Sequence, residues 1–270
     1  MFQYTLGRNL ALKNNTILKL DVSELEQDKL RNYELDVFNI SGSISSRFLR
    51  VSISKFNHRI ISKILSGYFL YIKEENCFFN KNILEKRGNI VLDGYWQSEN
   101  YFKDIKNIII KDFTIKFEPD KKNKSMLKKI RNLNSVCIHI RRGDYIDNEQ
   151  TNKYHGCCSL KYYYNAIEMI IEKVKNPTFF VFSDDSQWTK ENLKLEYPAV
   201  YDNINSPKKG YEDLRLMSNC KHFIIANSSF SWWGAWLSNN HNKIVCAPKR
   251  WFRTKDEGDI VPKSWIRVED

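Results

Sequence analysis

The sequence predicts an α/β protein with parallel sheets, and three observations support this prediction. From residue 136 onward, short apolar runs alternate with amphipathic segments, as in successive βαβ units. The unusual polar residues collect directly after apolar runs, following Ile140, Phe182 and Ala226. Glycine and proline are scarce, at 10 and 6 residues, which excludes collagen-like and low-complexity chains. Because ligands of parallel sheets bind at the carboxyl ends of the strands, these three positions mark a candidate site.

In the second half, each element has a clear pattern. Continuous apolar runs, typical of buried strands, lie at residues 136–140, 178–182, 222–226 and 243–247. Helices are predicted at residues 159–175, 186–195 and 210–219 and from residue 231. Ser186 is the expected N-cap of its helix.

The first half is less regular. Helices are predicted at residues 2–13 and 54–65, and strands at residues 16–21, 37–40 and 90–93. Residues 111–129 are polar and rich in lysine, as in a solvated connection between the halves. We therefore expect two domains, residues 1–130 and residues 131–270.

The composition is that of a globular protein, with 42% hydrophobic and 28% charged residues, and the net charge is +11. This charge admits a nucleic-acid partner, but the basic residues are scattered and form no recognition-helix or RNP pattern. The charge equally suits an anionic membrane face. We therefore expect that the protein binds no nucleic acid. Peripheral contact with a membrane is compatible with the same charge.

Several features predict a cytoplasmic protein. Met1 and the residues after it lack the basic and apolar regions of a signal peptide. The uncharged run at residues 222–242 contains too many Asn and Ser residues for a spanning helix. The six cysteines form no CxxC pair, and several lie in apolar runs, as expected for reduced, buried thiols.

The first candidate constellation is His-Ile-Arg-Arg-Gly-Asp-Tyr at residues 139–145. A guanidinium matches two phosphate oxygens and stays charged at any working pH, so Arg141 and Arg142 suit a phosphate. Gly143 permits a sharp backbone turn. The alternative is a surface arginine pair beside a turn, with His139 as a structural residue.

The second constellation is a pair of carboxylates, Asp184 and Asp185, that follows the next apolar run. A carboxylate there accepts the N1–H and the exocyclic amine of a guanine, or it caps the following helix. The pair is not the Asp-x-Asp that holds a metal ion for a nucleotide sugar. The sequence also contains no GxGxxG and no Walker A loop.

The third constellation is Asn-Ser-Ser-Phe-Ser-Trp-Trp-Gly-Ala-Trp at residues 227–236. Hydroxyls and free N–H groups at a helix N-terminus form an anion site. The alternative is a serine-rich cap. The helical spacing of Trp232, Trp233 and Trp236 indicates that at least two of them pack in the core.

In their order along the chain, these segments resemble the α-1,2-fucosyltransferases of glycosyltransferase family 11. Further segments resemble the same family: Asp-Leu-Arg-Leu-Met-Ser-Asn-Cys-Lys-His at residues 213–222, Tyr-His-Gly at 154–156, Cys158-Ser159, Tyr162-Tyr163, and Gly-Tyr-Trp-Gln at 94–97 with Tyr101-Phe102. The resemblance covers nearly the whole chain and is densest from about residue 136 to residue 247.

The resemblance implies a GT-B architecture, in which two Rossmann-like domains face a cleft. Residues 1–130 would form the acceptor-side domain and residues 131–270 the GDP-L-fucose-binding domain. The implied reaction is inverting transfer of fucose to the 2-hydroxyl of a terminal galactose, with no metal and no other cofactor. The implied acceptor is a galactose-terminated glycan, either free or lipid-linked. The implied location is the cytoplasm or the inner face of a bacterial membrane.

Carried over residue by residue, the resemblance implies that Arg141 binds the β-phosphate. Arg142 would steady the loop or bind the second phosphate. His139 and one of Asp184 and Asp185 would hold guanine. The pocket for pyrophosphate and fucose would be lined by Asn227, Ser228, Ser229, Phe230 and Ser231. Fixed positive charge stabilises the diphosphate as the C1–O bond breaks, so arginine takes the role that a metal plays elsewhere.

The general base stays open among Asp144, His155 and Glu149, all chosen by position alone. Asp144, His155 and Arg141 form the predicted catalytic set. The alternatives to this function are a fucosyltransferase of another linkage or acceptor, a nucleic-acid-binding protein, and a GDP-sugar-binding protein without turnover.

The start of the chain departs from the family pattern. The family opens with a short strand and a Gly-rich loop before a segment like Met-Phe-Gln-Tyr, whereas this sequence opens at that segment. We therefore expect Met1 to be an internal methionine, preceded by about 10–20 further residues.

Overall fold

The computed structural model describes residues 1–27, 32–45, 69–254 and 258–270. The chain divides into two compact units. The first unit comprises Met1–Lys116 and Gly258–Pro262, and the second comprises Phe117–Glu257 and Lys263–Asp270. The chain therefore crosses from the first unit to the second, returns briefly, and ends in the second.

The described helices are α1 (Phe2–Lys13), α2 (Ser23–Gln27), α3 (Lys106–Asp112), α4 (Lys121–Asn132), α5 (Gly143–Asp147), α6 (Glu149–Tyr154), α7 (Leu160–Ile171), α8 (Ser186–Asn192), α9 (Gly210–Ser218) and α10 (Ser229–Leu237). The described strands are β1 (Lys19–Leu20), β2 (Ser43–Ile44), β3 (Leu70–Lys73), β4 (Ile90–Asp93), β5 (Asn134–Ile140), β6 (Pro177–Ser183), β7 (Ala199–Tyr201), β8 (His222–Ile224), β9 (Val245–Pro248) and β10 (Ile266–Val268). Short 3-10 helices lie at Leu35–Val37, Lys81–Glu85, Glu99–Tyr101, Lys103–Ile105 and Pro207–Lys209.

The second unit is built on a six-stranded sheet with the order β10-β9-β8-β5-β6-β7. Every neighbouring pair in this sheet is parallel. β5 and β6 pair along their whole length, from Asn134 opposite Pro177 to Ile140 opposite Ser183. This confirms the α/β class with parallel strands. It also brings the residues that follow β5, β6 and β8 to the same edge of the sheet.

The core of this unit explains why its sequence pattern was clear. β5 is buried from Ser135 onward, because the sheet is covered on both faces, and a strand of that kind is apolar throughout. α7 packs Tyr162, Ala166 and Ile170 into the same core. Ser159 is the N-cap of this helix, and its hydroxyl accepts a hydrogen bond from the Tyr162 N–H at 3.3 Å.

The tryptophans of α10 are part of the core. Trp232, Trp233 and Trp236 are all buried, which confirms that at least two of them have a packing role. Gly234 on the same helix lets α9 approach, because a Cβ there would lie 3.0 Å from Met217 Cε.

The first unit contains two short parallel strand pairs in its described residues. β1 pairs with β2, and β3 pairs with β4 from Leu70 opposite Ile90 to Lys73 opposite Asp93. The buried carboxylate of Asp112 in α3 accepts hydrogen bonds from Tyr4 Oη at 2.6 Å and Arg8 Nε at 2.9 Å. This network ties α1 to α3.

The segment at residues 111–129, predicted to connect the halves, contains the division between the two units, and its second part forms the helix α4. Asp120 caps α4 by accepting the Asn123 N–H at 2.9 Å, and Leu127 and Ile130 bury its apolar side. The predicted domain boundary between residues 130 and 131 falls inside this helix, whereas the compact units divide after Lys116. The spacing of the two buried apolar residues overrides the charge-rich composition.

Other predicted elements differ in detail. In place of a strand at residues 37–40, the structure has the 3-10 helix Leu35–Val37 and a single antiparallel bridge between Phe38 and Ile115. The strands β3, β7 and β10 were not predicted. The helix predicted at residues 54–65 lies outside the described residues. Within the described ranges, no helix is both long and apolar enough to cross a membrane.

Candidate active site

The predicted site residues lie at the carboxyl edge of the six-stranded sheet. Arg141 and Arg142 follow β5, Asp184 and Asp185 follow β6, and Asn227 comes shortly after β8. β5 pairs with both β6 and β8, so the three constellations meet as the spacing predicted.

Arg141 is held by two carboxylates. Its Nη2 lies 2.7 Å from Asp144 Oδ1, and its Nη1 lies 3.2 Å from Asp184 Oδ2. Asp184 also accepts a hydrogen bond from the backbone N–H of Arg142 at 2.8 Å. The guanidinium therefore has a defined position at the end of β5, with its charge balanced by acidic groups.

Arg142 points to a different partner. Its Nε lies 3.3 Å from Asp185 Oδ2, and its guanidinium carbon lies 3.5 Å from the ring centre of Trp188. Asp185 Oδ1 accepts the Trp188 N–H at 3.1 Å and so caps α8. The N-cap is thus Asp185 and not Ser186, because only the side chain of Asp185 reaches back to the first turn.

Gly143 serves close packing at the turn between β5 and α5. It begins α5 and is not among the glycines with positive φ. A Cβ at this position would lie 2.7 Å from Asp184 Oδ2. The missing side chain therefore makes room for the carboxylate that pairs with Arg141.

His139 is buried within β5 and is neutral. Burial, and secondarily the charge of Arg141, lower its pKa to about 3. Its ring centre lies 5.6 Å from that of Phe230, and its Nδ1 has no hydrogen-bond partner among the described residues. A neutral imidazole with a free ring nitrogen can donate or accept one hydrogen bond to a neutral heterocycle.

Asn227 organises the neighbouring loop. Its Nδ2 donates to the carbonyls of His155 at 3.0 Å, Gly156 at 3.0 Å and Trp251 at 3.2 Å. Its own carbonyl accepts from Tyr145 Oη at 3.1 Å. With its amide donors committed to the protein, Asn227 has a positioning role in this structure, whereas the sequence analysis placed it in the lining of the pocket.

The start of α10 has no side-chain cap. Ser228 is the N-cap, and its side chain makes no capping hydrogen bond to the N–H groups of the first turn. Ser229 is exposed and Phe230 partly exposed, whereas Ser231 is buried and donates to the carbonyls of Ala226 and Ser228. Ser229 and Phe230 are therefore the accessible part of this constellation.

The three candidate bases have different surroundings. Asp144 is partly exposed and paired with Arg141. His155 stacks on Tyr145, with ring centres 4.9 Å apart and planes 12° apart, and also contacts Phe252. Glu149 starts α6 and is exposed. Of the three, only Asp144 belongs to the charged cluster around Arg141.

A third arginine, which the sequence analysis did not identify, lies beside this cluster. Arg253 donates from Nη1 to Asn152 Oδ1 at 3.1 Å, and its N–H donates to the Tyr154 carbonyl at 2.9 Å. Gly156 has a φ of +65°, and a Cβ on it would lie 2.0 Å from Arg253 Nε. Arg253 lies in the segment after β9, five residues past Pro248, and belongs to none of the three constellations.

The thiol of Cys157 lies close to several of these charged groups. Burial raises the pKa of its thiol, Arg142 and Arg253 lower it, and Asp184 and Asp144 raise it. All four charged groups are therefore near this thiol. Of these four groups, Arg142 is the one that the sequence analysis assigned to phosphate binding.

An acid pair is a second feature that sequence reasoning missed. Asp202 follows β7 and shares a side-chain hydrogen bond with Asp213 of α9. Asn205 Nδ2 donates to Asp213 Oδ1 at 2.7 Å. Burial, together with the neighbouring Asp202, raises the pKa of Asp213 to about 7. The signal available in the sequence was an aspartate directly after an apolar run, as at Asp184.

In the described part of the chain, no group of three or more His, Cys, Asp or Glu side chains has the arrangement of a metal site. In the charged cluster at the sheet edge, each carboxylate is paired with an arginine.

Comparison with known proteins supplies the family. The model of glycosyl transferase family 11 matches residues 32–269. An Escherichia coli protein named alpha-1,2-colitosyltransferase is 37% identical, over 100% of this chain and 94% of its own length. The Escherichia coli O-antigen biosynthesis glycosyltransferase WbnK is 32% identical, over 99% of this chain and 96% of its own. A pig galactoside alpha-(1,2)-fucosyltransferase 2 is 26% identical, over 66% of this chain and 55% of its own. The match to the family model spans the charged sheet edge and most of both units, and the chain belongs to glycosyltransferase family 11.

Proposed function

We propose that this glycosyltransferase moves L-fucose from GDP-L-fucose to the 2-hydroxyl of a terminal galactose, with inversion and without a metal ion. The observation that carries the proposal is the arginine cluster after β5, at the same edge of the sheet as the N-terminus of α10, which no side chain caps. Such a cluster suits a diphosphate, which a nucleotide-sugar donor contains and then releases.

The chemistry requires positive charge at this position. The acceptor oxygen attacks C1 of fucose from the side opposite the diphosphate, and the C1–O bond electrons leave with GDP. Arg141 stabilises the charge that develops on the β-phosphate, and Arg142 supports the second phosphate. Arg141 is paired with Asp144 and Asp184, and the donor phosphate takes the place of Asp144 when the donor binds, while Asp184 keeps its contact with Arg141.

This exchange gives the base a defined role. Asp144 is released from Arg141 as the guanidinium turns to phosphate, and the free carboxylate then accepts the proton of the acceptor hydroxyl. His155 is the second candidate for this proton. Its aromatic surroundings hold the ring in place, which suits a positioning role as well as a catalytic one.

Guanine is the proposed base of the nucleotide. The neutral His139 offers a free ring nitrogen beside Phe230. Asp184 or Asp185 accepts the N1–H and the exocyclic amine through the lone pairs that their arginine contacts leave open. The accessible residues Ser229 and Phe230 border the diphosphate and the sugar.

A second donor is favoured by one specific comparison. The 37% identical relative is named as a colitosyltransferase. Colitose is L-fucose without its 3-hydroxyl, so the two donors present the same diphosphate and the same leaving group. The proposed acceptor is a galactose-terminated glycan of the O-antigen type, and a lipid-linked form at the cytoplasmic membrane face suits the net charge of +11.

The test is a transfer assay with GDP-L-fucose and GDP-L-colitose against a panel of β-galactosides, with the linkage of the product read by NMR. We expect an α-1,2 product, an unchanged rate in excess EDTA, and greater protection against thermal unfolding by GDP than by UDP. No transfer from either donor to any galactoside would refute the proposal. A rate lost in EDTA and restored by Mn²⁺ would refute its metal-free form.

A further inference from the structure

The structure holds one loop of the first unit in an unusual conformation, at the carboxyl ends of β3 and β4. This loop, residues 94–97, has the sequence Gly-Tyr-Trp-Gln. It contains no charged residue, and it belongs to the unit that lacks the arginine cluster. The donor site described above gives it no role.

The backbone of the loop is strained. Trp96 has a φ of +57°, which a bulky L-residue rarely adopts. The other non-glycine residues with positive φ in the described part of the chain are Asn15 and Asn176, and asparagine tolerates this region. Gly94 has a φ of +151°, and a Cβ on it would lie 2.3 Å from Glu74 Cβ.

The surroundings hold the loop in this conformation. Glu74 Oε2 accepts the Tyr95 N–H at 2.7 Å, and Glu74 Oε1 accepts the Trp96 N–H at 2.9 Å. Gln3 Nε2 donates to the Gly94 carbonyl at 3.0 Å. Asp93, at the end of β4, accepts a hydrogen bond from Tyr71 Oη. The geometry is therefore enforced from three sides.

A second unfavourable feature accompanies the strain. Trp96 is buried, yet its Nε1–H has no hydrogen-bond partner among the described residues. Strain and an unsatisfied donor both cost stability, and such combinations concentrate at functional sites.

The result of this arrangement is an exposed aromatic ring. Trp96 turns inward, and Tyr95 is left with 66% of its surface exposed. Because Glu74 fixes the backbone at both Tyr95 and Trp96, the direction in which the Tyr95 side chain leaves the chain is set before any ligand arrives. A ring held in this way offers a flat, weakly negative face at a small entropic cost.

We propose that Tyr95 is a binding platform for the terminal galactose of the acceptor, an inference that rests on the proposed function for the choice of sugar. In a β-galactoside, the C–H bonds at C3, C4 and C5 point to one face of the ring. This weakly positive face stacks on an aromatic ring. In glucose the C4–H points to the opposite face, so the platform distinguishes the two epimers. The neutral loop suits a neutral acceptor as the arginine cluster suits the donor.

The test compares the parent protein with Tyr95→Ala, Tyr95→Leu and Tyr95→Phe. Phe78→Ala, which removes another half-exposed aromatic ring of the same unit, is the matched control. Saturation-transfer NMR measures binding of methyl β-D-galactoside and methyl β-D-glucoside in the presence of GDP.

We expect the signals of galactoside H3, H4 and H5 to fall about tenfold in the Ala and Leu variants, because the stacked ring is lost. The same signals should persist in the Phe variant and the control. Thermal unfolding and protection by GDP should match the parent throughout, because the Tyr95 side chain is mostly solvated.

Unchanged galactoside signals in Tyr95→Ala would overturn the platform, as would the absence of galactoside signals in the parent. Equal signals from galactoside and glucoside in the parent would overturn its selectivity. The transfer assay is a separate measurement. If the parent binds galactoside through Tyr95 but transfers no sugar to it, the proposed function fails and the platform stands.

Discussion

At the residue scale, the positions of the two arginines after β5 are set by the carboxylates that pair with them. Arg141 is shared between Asp144 and Asp184, whereas Arg142 pairs with Asp185 and lies on Trp188. A planar guanidinium presents a fixed fork of donors that matches two oxygens of one phosphate, whereas a lysine ammonium is a point charge without this geometry.

We therefore expect Arg141→Lys to lower kcat/KM by about a hundredfold or more while the protein stays folded, since the bidentate contact to the diphosphate is lost. Initial rates and thermal unfolding measure the two effects. Arg131→Lys is the control, because Arg131 is exposed and bonds only to Asn219 among the described residues. Turnover within a few-fold of the parent would contradict the role of Arg141.

Gly143 supports a second prediction at this scale. In Gly143→Ala, the new methyl group meets Asp184 Oδ2 at 2.7 Å, so the carboxylate must move away from Arg141. We expect a loss of about 1–3 kcal/mol in the free energy of unfolding, together with weaker GDP binding. Gly210→Ala, also at the first position of a helix but with its nearest neighbour at 3.9 Å, should have little effect. Equal effects of the two changes would show that the space at Gly143 is unimportant.

At the element scale, the loop between α6 and α7 is fastened to the end of β8 by one side chain. Asn227 donates to two carbonyls of this loop and to Trp251, so it joins three segments that are distant in sequence. The same loop carries His155, which stacks on Tyr145, and Cys157, which lies near the charged cluster.

Asn227→Ala should lower the free energy of unfolding by about 2 kcal/mol or more, because buried carbonyls lose their donor and a cavity opens. Urea unfolding measures this change. Asn240→Ala is the matched control, since Asn240 Nδ2 makes a single bond to the Lys221 carbonyl at 2.7 Å and should lose about 1 kcal/mol. A loss at Asn227 no larger than that at Asn240 would refute the anchoring role.

At the scale of the whole molecule, the acid pair makes folding depend on pH. Between about pH 4, the ordinary carboxyl pKa, and about pH 7, the folded chain keeps a proton on Asp213 that the unfolded chain has released. The contribution of Asp213 to stability is therefore complete below about pH 4 and is lost as the pH rises towards 7. His139 acts in the opposite sense, because its lowered pKa makes folding more favourable as the pH rises from about 3 to its ordinary value.

The comparison of the parent with Asp213→Asn isolates the acid pair from the histidine. Asparagine imitates the protonated carboxyl and cannot lose its proton. We expect the variant to gain stability relative to the parent as the pH rises from 4.5 to 8, by on the order of 2 kcal/mol. Asp147→Asn, at an exposed position of the same unit, is the control. A difference between parent and Asp213→Asn that does not change with pH would contradict the shared proton.

The sequence pattern sufficed where a single strand or helix carries the signal. β5 and β6 were predicted to within two residues because strands buried on both faces must be apolar throughout. The meeting of Arg141, Asp184 and Asn227 followed from parallel topology alone, since strand ends share one edge of the sheet. α4 was missed, because a lysine-rich composition masks two buried apolar positions.

By itself, the sequence determined the α/β class, the edge of the sheet that carries the candidate site, and the residue types gathered there. The tertiary structure decided which partners these residues take. It pairs both arginines with aspartates, makes Asn227 an anchor, brings Arg253 over Gly156 and places Asp202 against Asp213. The physical reason is the distance along the chain between the groups that interact. Hydrophobic periodicity and strand-end polarity are local properties of the sequence, whereas these hydrogen bonds and ion pairs depend on atomic positions that only packing sets.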